Sequence, residues 1–104
     1  MSWRRDSRYR EWKEACKERD NYTCQFTGAT TRLEVHHLNS GSYFPDERYD
    51  IDNGITIHRA VHLFFHWFYM KSTRTKCTKK DWKRFYRYRR YLFIIVNLYN
   101  TFKK

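Results

Sequence analysis

The sequence predicts an α+β domain: a small strand, loop, strand, helix core flanked by an N-terminal and a C-terminal helix. Two short stretches with strand character, Leu33–Leu38 and Gly54–Ile57, are separated by an irregular run, and a Gly- and Pro-free stretch, His58–Met70, follows at once. At 104 residues the chain is one domain's worth, so 1–104 is read as a single unit. Its expected parts are an N-terminal helix over 1–20, the core over 22–70, and a basic, aromatic helix over 78–104.

Each element has its own warrant. Segment 7–19 is rich in helix formers, with Trp12, Ala15, Cys16 and Arg19 along one face and Ser7 as the expected N-cap. Asp20–Thr23 ends it, and Cys24–Thr30 reads as a turn in which Gly28 takes positive φ. Leu33–Leu38 opens with apolar/polar alternation. The run from Asn39 to Asn53 holds Gly41 and the only proline, and a loop of that length in a short chain is usually functional. His58–Met70 places His58, His62 and His66 at i, i+4 and i+8 of a helix. Thr78 with Asp81 approximates a capping box, after which Trp82, Phe85, Tyr86, Arg89 and Leu92 follow at helical spacing. Leu92–Val96 fits a buried helix or a strand equally well.

Charge points to a polyanionic partner. The chain has 22 Lys+Arg against 11 Asp+Glu, net +11, which excludes an acidic ligand mimic. Residues 20–57 are net −4 and residues 58–104 net +12, so an acidic middle is followed by a surface suited to a charged backbone. No apolar run is long enough to span a bilayer, and the N-terminus lacks the apolar stretch of a secretory signal. The expectation is a cytoplasmic protein with no membrane partner. Cys16, Cys24 and Cys77 are odd in number and form no CxxC pair, which reads as reduced thiols. Half of the 40% hydrophobic content is aromatic, enough to fill a small core with a few large rings.

All five histidines fall between 36 and 66. Neutral imidazole is a good ligand for Zn, Ni, Co or Mn, and its pKa makes it a usable base at physiological pH. His62 and His66, four apart on a helix, can grip one ion. An HxxxH pair taken alone is more often two satisfied, half-buried histidines. In combination, LEVHHLNS and DNGITIHRAVHLFFH resemble the motif of the HNH (ββα-metal) endonucleases, and RDNYTCQFTGA is similar to the knuckle ahead of the catalytic strand in phage HNH enzymes. The resemblance covers about residues 10–70.

That resemblance implies a ββα-metal core with His36 as the first metal ligand, His37 as general base, Asn53 as the loop-pinning residue and His62 as the helix ligand. His66 matches the additional ligand of the colicin-type DNases. One divalent ion, Mg²⁺, Mn²⁺, Ni²⁺ or Zn²⁺, is the implied cofactor. The implied activity is DNA phosphodiester hydrolysis by a free-standing, homing-type enzyme encoded by a phage or mobile element. One motif supplies one active site, so double-strand cleavage would need a homodimer or two sequential nicks.

The sequence departs from the family at its structural zinc. Cys24, Thr27, His58 and Val61 stand where four cysteines are common. Thr and Val cannot replace thiolates, so no structural four-cysteine zinc is expected and aromatic packing should take its place. His58 is then a relic of that site, a phosphate contact or an alternative partner for His62. DNA contacts are expected from Lys79, Lys80, Lys83, Arg84, Arg87 and Arg90, with Arg4, Arg5, Arg8 and Arg10 as a second arm. The rival readings are the same fold acting on RNA, and a non-catalytic nucleic-acid-binding module with a structural ion.

Overall fold

A computed structural model describes residues 2–70 and 76–89. It is a mixed α/β arrangement of three helices and one two-stranded antiparallel sheet. A 3-10 turn, Trp3–Arg5, precedes helix α1, Ser7–Arg19. Asp6 breaks the predicted 1–20 helix and caps α1, its carboxylate accepting from the Arg8 amide at 2.9 Å. Ser7 is therefore not the cap: a carboxylate one residue earlier outcompetes it and also ion-pairs Arg8. The helix ends where Asn21 and Tyr22 both take left-handed φ.

Strand β1, Leu33–His37, pairs with β2, Gly54–His58, in a register that sets Val35 against Thr56 and His37 against Gly54. Helix α2, Arg59–Phe64, follows directly and widens into a π turn over Phe65–Tyr69. The helix expected from His58 thus starts one residue later, because His58 is its N-cap and accepts from the Ala60 amide through Nδ1 at 2.9 Å. Helix α3, Lys79–Tyr86, opens on the expected box, with the Thr78 amide donating to the Asp81 carboxylate at 2.9 Å. The helix expected to reach 104 ends at Tyr86 and the chain turns at Arg87 and Tyr88, while Arg90 and the residues beyond it lie outside the described residues.

The hairpin is covered on both faces. Trp12 and Cys16 of α1 pack with Val35 on one side; the Ala15 and Arg19 positions of the predicted face are exposed. On the other side Ile57, Val61 and Phe65 meet Phe26, Trp82 and Phe85. The aromatic share of the composition is spent here: Phe26 stacks on Phe85 at 5.2 Å, and Phe65 contacts both Trp82 and Phe85. Cys16, Cys24 and Cys77 are free and buried. No helix among the described residues is long and apolar enough to cross a membrane.

Candidate functional site

Strand alternation divides β1 between two tasks. Glu34 and His36 face α2, whereas Val35 and His37 face α1. His36 is buried, and its Nδ1 lies 3.3 Å from Nε2 of His62. The same His62 atom lies 3.1 Å from Nε2 of His66, one turn further along. Two nitrogens bound tetrahedrally at about 2.0–2.1 Å from one ion sit about 3.4 Å apart, so these separations match a shared ligand sphere. The three donors lie within 4.8 Å of one another, the only such group of three among the described residues.

The protonation pattern fits a ligand set. His62 Nδ1 donates to Glu34 Oε1 at 2.8 Å, which leaves the lone pair on Nε2, the atom facing the other two rings. Burial pushes His36 well below the usual histidine range, and the neighbouring imidazoles add to it. Burial, then the neighbouring His62 imidazole, brings His66 down to about 4. The hydrogen bond from His62 holds the Glu34 carboxyl below its usual value against partial burial. Converging imidazole nitrogens, one of them oriented by a carboxylate, are what a divalent ion requires, so the donor set fits the ion that the resemblance implies.

His37 sits on the opposite face of a regular strand yet opens on the same cavity. That cavity, about 590 Å³, is lined by His36, His37, His62 and His66 together with Trp3 and Cys77. His37 Nε2 donates to the Arg48 carbonyl at 2.8 Å, so Nδ1 is the ring's acceptor. Burial lowers its pKa, the Arg48 carbonyl opposes this, and the Arg4 and Arg48 cations push with burial. Asn53, 1% exposed, spans the long loop: its Nδ2 donates to the carbonyls of Asn39 and Glu47, and its Oδ1 accepts from the Asn39 amide.

The remaining predicted residues fall in two groups. Lys80, Lys83, Arg84 and Arg87 are exposed and Lys79 is partly so, with Trp82 and Phe85 turned inward. His58 is 2% exposed and serves as a helix cap, which, of the three roles left open for it, disfavours the phosphate contact. Cys24 Sγ accepts from the amides of Phe26 and Thr27 at 3.4 and 3.3 Å. Sequence reasoning missed Glu34, although its i, i+2 relation to His36 on a strand was a usable signal. It also missed Trp3, Trp12 and Cys77 around the histidines, for which local sequence carries no signal. No family model matches the chain, and no curated protein or solved structure matches it either.

Proposed function

We propose that the chain is a metal-dependent endonuclease of the HNH type, built on a ββα-metal core, that hydrolyses DNA phosphodiester bonds. The observation that supports this reading is one cavity shared by three convergent imidazole nitrogens and a separately held histidine. His36, His62 and His66 would hold the ion, with Glu34 orienting His62. When bound, the ion would supply Lewis-acid stabilisation of charge developing on the phosphate and the leaving oxygen. His37, with its proton on Nε2, accepts a proton from the attacking water at Nδ1. Asn53 fixes the loop that carries the Arg48 carbonyl and so the direction of His37. Because His36 and His37 point from opposite faces of β1, the scissile phosphate lies between them. The exposed cations of α3 and its C-cap, Lys80, Lys83, Arg84 and Arg87, supply backbone contacts. Imidazole ligation favours Zn²⁺ or Ni²⁺ over Mg²⁺ or Mn²⁺.

Supercoiled plasmid incubated with each of these ions, against EDTA, tests the reading. Nicking in a metal lane is expected, and His37→Ala should lower the rate by roughly 10²–10⁴-fold with metal affinity retained. Plasmid left intact by every ion, or a His37→Ala protein as fast as the parent, refutes it. Structured RNA in parallel lanes separates the two nucleic-acid substrates.

A further inference from the structure

We propose that the Trp3–Arg5 turn belongs to the reaction centre, with Trp3 and Trp12 as positioning residues that clamp the His37 imidazole from its edge and its face. The inference rests on the nuclease reading for its chemistry and on the following geometry for its structure. A single hydrogen bond, from His37 Nε2 to the Arg48 carbonyl, fixes one atom of the ring and leaves it free to swing about that contact. Trp12 removes one freedom by stacking on the ring at 4.0 Å and 11°. Trp3 removes another, meeting the ring nearly perpendicular, 89°, at 5.4 Å. Two walls at right angles and one hydrogen bond together define an orientation.

The surrounding residues are arranged around this clamp. A side chain at Gly41 would begin 2.8 Å from the Trp3 ring and 3.1 Å from His37 Cε1, so the loop backbone closes against both rings with no space for a Cβ. At Gly54 the same atom would lie 2.6 Å from the Trp12 ring. Two of the three glycines in the chain therefore stand where a clamp tryptophan comes close. Arg48 ties the parts together: its carbonyl holds His37, its guanidinium lies over Trp3 at 4.9 Å, and its Nε donates to the Gly41 carbonyl at 2.8 Å. Tyr49 Oη donates to the Trp3 carbonyl at 3.1 Å, and Trp12 Nε1 donates to that of Asp50 at 2.7 Å. The Trp3–Arg5 turn buries none of its own residues. Its anchoring therefore serves the cavity wall and not the core.

Trp3 is the position to test, since Trp12 is a core residue whose loss could unfold the protein. Trp3→Ala should lower kcat by about 10–100-fold, the scale of a misplaced reacting group, while KM and metal affinity stay within about twofold. Trp3→Phe, which restores an aromatic edge, should recover most of the rate. Imidazole ¹⁵N shifts give a readout independent of turnover. His37 should be a single Nε2–H tautomer in the parent and in Trp3→Phe, and a mixture in Trp3→Ala. A Trp3→Ala enzyme with unchanged kcat, or one whose loss falls on KM, overturns the clamp and leaves the nuclease reading in place. If the parent cleaves nothing with any ion, the nuclease reading falls; a tautomer change on Trp3→Ala still supports the clamp, and its absence overturns that too.

Discussion

Two regions of this molecule carry residue types able to ligate a metal, and they differ in one respect. Around Cys24 the backbone turns as a ligand knuckle does, with two amides aimed at the sulfur, but among the described residues no set of three ligands forms on it. Thr27 and Val61 offer no thiolate, His58 spends its Nδ1 on a helix amide, and Phe26, Phe85 and Trp82 pack there. Around His36 three nitrogens from a strand and a helix face one another and a carboxylate orients one of them. Backbone shape is thus separable from ligand convergence, and only convergence makes a candidate site.

The largest expected effect belongs to the knuckle side. Phe85 is 3% exposed between Phe26 and Phe65, so Phe85→Ala should cost about 3–5 kcal/mol in denaturant unfolding. Added zinc should restore none of it; zinc-dependent recovery would mean that the aromatic cluster has not replaced an ion.

On the other side His62 supplies the nitrogen facing both partners. His62→Ala should reduce Zn²⁺ or Ni²⁺ affinity in calorimetric titration by more than about 100-fold, beyond the range of an outer-shell change. Cys24→Ser should leave affinity and a one-to-one stoichiometry untouched. If Cys24→Ser removed an ion, the contrast between the regions would collapse. Glu34→Ala should fall in between, lowering affinity by about 10–100-fold, with Glu34→Gln milder because it keeps an acceptor for His62 Nδ1.

These expectations show where the sequence was legible. The helical segment over 7–19 and the two short strands follow from periodicity and turn signals, which are local. So do the common face of His62 and His66 and the Thr78–Asp81 box. What failed was competition between neighbours: Asp6 against Ser7 for a cap, and His58 as a cap in place of a helix residue. What went unseen was long-range, since Trp12 reaches Asp50 across 38 positions and Cys77 reaches His36 across 41. His62 and His66 could be paired because they stand four apart, while His36, inside β1, joined them only through the resemblance of the whole motif. The rings around His37 could not be grouped, because only the closed chain brings them there.

A subtler difference separates the regions in acid. Asp20 holds the knuckle side to β2, accepting from the Thr56 amide at 2.9 Å and pairing with Arg19. Burial alone would raise its pKa, but the bonds from Arg19 and Thr56 outweigh it and the net shift is downward. A carboxyl whose folded pKa lies below its unfolded one stabilises fully above the ordinary carboxylate range and loses that contribution as pH falls through the folded value. Asp20→Asn should therefore be less stable at neutral pH and show a shallower decline below about pH 4. An identical acid limb in both proteins would place the sensitivity elsewhere.

The tie made by Asn53 has a consequence for how this protein could diversify. Its amide joins Asn39 to Glu47, and the Leu38 amide donates to its carbonyl, so the neck of the long loop is fastened independently of its tip. The tip, Ser42–Asp46, is mostly exposed. Loop-closure entropy grows only by about 0.6 kcal/mol for each doubling of length. Residues can thus be inserted at the tip at little thermodynamic penalty while Gly41, Arg48 and the neck stay in place. Lineages could exchange tips as interchangeable attachments beside an unchanged set of histidines.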